Sequence, residues 1–220
     1  MKNAKSIRSW SLISGLSIFI MALAAGIAYG MIFPTLYREA DPMQTLQLIE
    51  ANKGAFRVMN LLFTVILVTD LLVSYGFCVI FIPISKRLAV LTSLTRFIYS
   101  GILAVALYML FRKNMEAFLR IWSFGLFLFG FHLMFLGSVL LHVHGRWLVK
   151  LLGVLLLIGG VGYSLIHGIE TIVPQSYQTV MILEDTLSIP MAAGELLLGF
   201  WLVLTRGKMF IQEKILQGGA

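Results

Sequence analysis

The run Val58–Ile82, VMNLLFTVILVTDLLVSYGFCVIFI, decides the fold class of this chain. A helix must offer about 20 mainly apolar residues to cross a hydrocarbon core of about 30 Å. This run does so with one charged side chain, Asp70. Five more stretches meet the same standard: Ser11–Phe33, Leu88–Phe111, Ile121–His142, Trp147–His167 and Ile189–Thr205. Backbone groups in lipid must pair within their own segment, which selects helices, and the alternation of a membrane barrel strand is absent.

Composition agrees with this reading. Of 220 residues, 59% are hydrophobic and 12% charged, with a mean hydropathy of +0.93. A soluble domain carries about 25% charged residues, so lipid must solvate what water cannot. The fold class is therefore all-α, a polytopic bundle of six transmembrane helices forming one domain over residues 1–220. Lys2, Lys5 and Arg8 precede the first run in the manner of a signal peptide. The run continues unbroken to Phe33, past the about 7–15 residues of a signal core, so it is expected to be a retained helix.

Net charge of +7 could suggest nucleic acid in a soluble protein. Here the cations fall in the connections between apolar runs, where they set orientation, and no nucleic-acid partner is expected. With the N-terminus inside, ten Lys and Arg lie on the cytoplasmic side: Lys2, Lys5, Arg8, Lys86, Arg87, Arg146, Lys150, Arg206, Lys208 and Lys214. Six lie outside: Arg38, Lys53, Arg57, Arg112, Lys113 and Arg120. Both termini are thus expected in the cytoplasm. The connection Gly168–Ser188 holds Glu170, Glu184 and Asp185 without a cation and reads as an outer loop. Asp41-Pro42 is an N-cap and first-turn pair, predicting a helix over about 42–53 on the outer surface, with Met43, Leu46 and Ile49 on one face and Gly54 ending it.

Four ionisable groups interrupt the apolar spans: Asp70, Arg96, His132 and Glu195. At about 1.5 Å per residue from the cytoplasmic ends, Asp70 lies about 18 Å up, Arg96 about 12 Å, and His132 and Glu195 about 15 Å. All four approach the midplane, on four different helices. A charge there costs about 2.5–3.5 kcal/mol on insertion scales, and such groups turn toward each other and the protein interior. We therefore expect a shared polar centre in which Arg96 neutralises one or both carboxylates. Two carboxylates against one arginine leave −1, which would favour a protonated His132 or a neutral carboxylic acid.

Helical spacing extends the polar stripe. Thr92, Ser93, Tyr99 and Ser100 flank Arg96, Ser74 follows Asp70, and Ser188, Ala192 and Gly199 share the face of Glu195. Gly160, Tyr163, Ser164 and His167 form a comparable stripe on the fifth span. Tyr99, Tyr163, Ser164 and His167 are the secondary site candidates. The same ion pairs could serve only to fix which helix packs on which.

Other chemistry is sparse. The single Cys78 excludes an internal disulfide and reads as a small apolar-run residue. His142 and His144 are too few for zinc and sit beside Arg146, Trp147 and Lys150 in an interfacial belt. Arg96 would compete for both carboxylates, so no metal site is assigned at mid-depth, and no cofactor is identified. The glycines Gly159, Gly160 and Gly162 lie within a span and read as packing residues, not as part of a nucleotide loop.

Several stretches resemble one family. These are Arg96-Phe97-Ile98-Tyr99 leading into Ile102–Leu107, Gly130-Phe131-His132-Leu133 with Gly137, Leu151–Leu156 with Gly162-Tyr163, and Gly194-Glu195-Leu196. Together they resemble an uncharacterised group of bacterial membrane proteins, domain-of-unknown-function family 4386, over nearly the whole chain. The resemblance implies a prokaryotic inner-membrane, multi-pass protein of about six helices and supplies no activity. Three functions follow as expectations. The leading one is binding or translocation of a small amphiphile, lipid or anion, quinone-like molecules included. Arg96 would hold its head, and His132 and Glu195 would exchange protons. A bundle this small would need a homodimer to transport. The others are an intramembrane enzyme acting on a lipid, with Glu195 or His132 as base, and a non-catalytic structural or regulatory subunit.

Overall fold

The computed structural model describes residues 2–39, 41–143, 147–172, 177–208 and 210–212. Helix α1 (Lys2–Ala25) runs into a π-helical segment, Gly26–Ile32, and a last turn, α2 (Phe33–Leu36). The short α3 (Pro42–Ala51) leads into α4 (Lys53–Phe81), α5 (Lys86–Phe111), α6 (Met115–Leu141), α7 (Trp147–Ile172) and α8 (Tyr177–Thr205). Among the described residues, six helices are long and apolar enough to cross a membrane: Ala4–Leu36, Lys53–Phe81, Lys86–Phe111, Met115–Leu141, Trp147–Ile172 and Val180–Thr205. The protein is an all-helical, multi-pass membrane protein.

Polar residues punctuate the chain where helices begin. Asp41 accepts from the Gln44 amide at 2.8 Å, and Asn114 from the Ala117 amide at 3.0 Å. Ser85 caps α5 in the same way. Each side chain satisfies an amide that the first turn leaves unpaired. Gly207, at φ 64°, turns the chain after α8. A Cβ at Gly207 would lie 2.4 Å from the Ser11 hydroxyl, so both the backbone angle and the space require glycine. Phe210 then folds back onto Phe81 and Trp201.

The spans form a closed ring in chain order, α1 against α4, then α5, α6, α7 and α8, with α8 returning to α1. Small residues set the closest approaches. A Cβ on Gly130 would lie 2.5 Å from the Gly160 carbonyl oxygen, and one on Gly137 would lie 2.6 Å from that of Gly153, so α6 and α7 meet backbone to backbone. Gly15 meets Gly199 and Val203 where α1 crosses α8. The π segment bears Tyr29, whose ring packs edge-on against Trp122 at 4.9 Å. Such wide turns are rare and frequent at functional sites.

Several boundaries differ from the sequence reading. The last span does not begin at Ile189: α8 starts at Tyr177 and carries Glu184 and Asp185 within it, so only part of Gly168–Ser188 is a connection. Acidic residues and Pro190 break the apolar run, yet a helix can continue beyond the hydrocarbon, where water solvates its charges. The same reason carries the first, second and fourth spans past their expected starts at Ser11, Val58 and Ile121. Gly54 does not end the outer helix. That helix stops at Asn52, and Gly54 sits in the first turn of α4. Only Ile49 of the expected apolar face is buried, with Thr45 beside it, while Met43 and Leu46 stay exposed. His144 and Arg146 lie outside the described residues.

Candidate functional site

Arg96 is the hub of the bundle. Its side chain is 1% exposed and reaches four other helices. Nε lies 2.9 Å and Nη2 2.5 Å from Oδ1 of Asp70 on α4. Nη1 donates to Glu195 on α8 at 3.2 Å and stands 3.0 Å from Nε2 of His132 on α6. Nη2 also faces the Met21 sulfur on α1 at 3.5 Å. The guanidinium carbon lies 5.1 Å from the Phe129 ring centre and 5.8 Å from that of Phe77. A guanidinium suits this position because it is planar, permanently charged and offers five donors.

Hydrogen bonding assigns the His132 proton. Nδ1 is 2.7 Å from the Thr92 carbonyl oxygen, which can only accept, so Nδ1 carries the hydrogen. Nε2 is then a lone pair accepting from Arg96. The Thr92 hydroxyl donates back to the His132 carbonyl at 3.0 Å, clasping α5 to α6. Of the two alternatives that the charge count leaves, a protonated His132 and a neutral carboxylic acid, this arrangement disfavours the first, since a second cation there would point a proton at the guanidinium. His132 is fully buried and presents no free nitrogen to a ligand.

The two carboxylates differ. Asp70 has 2% of its side chain exposed and Glu195 21%. Glu195 borders a cavity of about 350 Å³ to which all six spanning helices contribute. Asp70, Arg96 and Glu195 line one part of it. Tyr99, Trp122, Phe129 and Tyr163 supply aromatic wall, and Met21 and Leu126 aliphatic wall. Ala22 and Ala25 on α1 and Ala192 and Leu196 on α8 also border it, so the cavity opens between these two helices, which meet at Gly15 and Gly199. Arg96, given the head-holding role from sequence, already has its nitrogens engaged. The accessible ionisable group is Glu195.

The secondary candidates divide. Tyr99 and Tyr163 line the cavity, and Tyr99 also accepts from the Trp122 indole at 3.4 Å. Ser164 donates to the Phe127 carbonyl at 3.2 Å, a packing bond between α7 and α6. His167 belongs to an outer cluster in which Ser123 donates to Glu170 at 2.6 Å and His167 Nδ1 lies 3.1 Å from the same oxygen. One imidazole nitrogen faces both partners, so this is not the relay of a nucleophilic triad. Its link to the cavity is the stacking of His167 on Tyr163. The sequence reading omitted Met21, Trp122 and Ser123. They carry no unusual signal inside an apolar run, and only the fold brings them to the site. Among the described residues, no three His, Cys, Asp or Glu side chains converge as a metal-binding group.

Ring and polar hub together define a polytopic helical membrane protein with a charged centre open to an internal cavity. The chain belongs to the family described as Domain of unknown function (DUF4386), which matches residues 13–114 and 109–205. It is similar to an uncharacterized protein of Archaeoglobus fulgidus, 32% identical over 144 residues, covering 66% of this chain and 81% of that one. No solved structure matches the chain.

Proposed function

We propose that the protein binds a small amphiphile in this cavity and passes it across the cytoplasmic membrane of a prokaryotic cell, with Glu195 as the group that meets the polar head and exchanges a proton. One observation carries the reading: the partly exposed carboxylate of Glu195 borders a mainly apolar cavity of about 350 Å³ inside a membrane bundle. A few polar groups in an apolar pocket are the usual make-up of a small-molecule site. An ionisable residue at membrane depth is retained against a cost of about 2.5–3.5 kcal/mol.

Labour is divided within the centre. Arg96, Asp70, His132 and Thr92 hold the helices in register, which gives the structural-clasp reading a part of the site. Glu195 is left with one bond to Arg96 and an open side. Translocation, as distinct from binding, calls for a second copy of so small a bundle. An enzyme acting on lipid would use the same carboxylate as base and release its ligand changed.

Native mass spectrometry of the purified chain tests the reading. A small molecule held by wild type and lost in Glu195→Gln, with thermal stability retained, supports it. A bound species unaffected by Glu195→Gln contradicts it. A chemically altered product on turnover selects the enzyme.

A further inference from the structure

The sign of the charge in the cavity identifies the ligand class. We infer, resting on the amphiphile-binding reading above, that the cavity takes a lipophilic organic cation, such as a quaternary ammonium or phosphonium with apolar substituents. Arg96 and Asp70 form a paired unit, and His132 is held as an acceptor. Asp70 and Glu195 together leave one negative charge in excess of Arg96, and Glu195, which Arg96 reaches through a single nitrogen at 3.2 Å, is the carboxylate that borders the cavity. The guanidinium is 1% exposed against 21% for Glu195, so an entering head meets negative charge first.

The walls fit the same class. Tyr99, Trp122, Phe129 and Tyr163 offer aromatic rings around the carboxylate, and ring faces attract weakly hydrated cations. An anion would have to displace Glu195 from Arg96 and leave that carboxylate buried without a partner. The approach is also biased. From Leu151 to Thr205 the chain contains no Lys or Arg, while Glu170, Glu184 and Asp185 fall on the outer parts of α7 and α8. The outer cations, Arg38 to Arg120, belong to the segments before α7. The side bounded by α7 and α8 therefore draws cations toward the cavity.

Arg96 on α5 and Asp70 on α4 line the cavity with Glu195, and Asp70 neutralises Arg96.

The test uses the full chain in discs of zwitterionic lipid, with tetraphenylphosphonium and tetraphenylborate as probes of matched shape and opposite charge. Empty discs correct for partitioning. The expected result is saturable tetraphenylphosphonium binding that weakens at least ten-fold in Glu195→Gln. Tetraphenylborate should show none. The comparison of the two probes on wild type needs no variant and stands if Glu195→Gln fails to fold. Saturable borate binding without phosphonium binding overturns the cation assignment and leaves the amphiphile reading intact. Saturation by neither probe nor any neutral amphiphile of that size overturns both.

Discussion

Arg96 approaches one oxygen of Asp70 through two nitrogens, at 2.5 and 2.9 Å, whereas a single nitrogen reaches Glu195, at 3.2 Å. Asp70 is thus the fixed counter-ion and Glu195 the exchangeable one. Removing the arginine leaves the buried Asp70 and the partly exposed Glu195 without their shared cation. Breaking a buried pair by removing one partner costs about 3–5 kcal/mol, so Arg96→Met should unfold at markedly lower temperature in detergent. Adding Asp70→Asn to Arg96→Met should recover part of the loss, because it removes an unpaired charge. Absence of any recovery would contradict the pairing.

His132 is a positioning residue whose Nε2 accepts from Arg96. His132→Phe keeps an aromatic ring but leaves Nη1 short of an acceptor, while the Thr92 carbonyl keeps the Thr95 hydroxyl at 3.1 Å. An unsatisfied buried polar group costs about 1–3 kcal/mol, and calorimetry in detergent should show a loss of that order. Ligand affinity should change far less than in Glu195→Gln. Loss of binding in His132→Phe with stability unchanged would assign His132 to the ligand instead.

Glycine contacts make a matched pair of tests. A Cβ on Gly160 would lie 2.6 Å from the Gly130 carbonyl oxygen, whereas one on Gly101 has nothing within 4 Å. Gly160→Ala should destabilise by about 1–3 kcal/mol, as overpacking does. Gly101→Ala should be neutral or stabilise by about 0.5–1 kcal/mol, since alanine is the better helix former. Equal effects at both sites would rule out the close α6–α7 contact.

Acid sensitivity has a source on the short helix α3. Glu50 on α3 hydrogen-bonds Lys113 and Lys53, which hold its carboxyl down from an ordinary 4.5 to about 2. A depressed carboxyl contributes stability in full above about 4.5, and loses it as pH falls from there through about 2. The group is exposed, so the contribution is small and shrinks with salt. In low salt, Glu50→Gln should flatten the part of the stability profile between pH 5 and 2 relative to wild type, measured by thermal unfolding. An unchanged slope would show that the pairs do not act.

Much of the architecture was legible because a membrane asks one question of each segment, namely whether about 20 residues are apolar. Val58–Ile82 answers it without ambiguity. Tyr177–Ser188 does not, because Glu184 and Asp185 sit where α8 leaves the hydrocarbon, and hydropathy cannot see a helix there. Depth arithmetic brought Asp70, Arg96, His132 and Glu195 to one level. It could not rank them, since exposure of Glu195 and closure over Arg96 depend on where α1 and α8 part. The His132 proton is not legible in the sequence for a related reason: net charge leaves an imidazolium and a neutral carboxylic acid as alternatives, while the hydrogen bond to the Thr92 carbonyl, invisible in the sequence, places a hydrogen on Nδ1. Trp122 and Met21 gave no signal because apolar residues in a span look alike until packing distinguishes wall from lipid face.

Labelling with the apolar reagent dicyclohexylcarbodiimide, which attacks protonated carboxyl groups within membranes, tests the central claim most directly. The account predicts one adduct per chain, on the peptide carrying Glu195 and slowed by tetraphenylphosphonium, with Asp70 unlabelled behind Arg96. Modification of Asp70, or a Glu195 that never reacts while the exposed acids outside the membrane do, would contradict it.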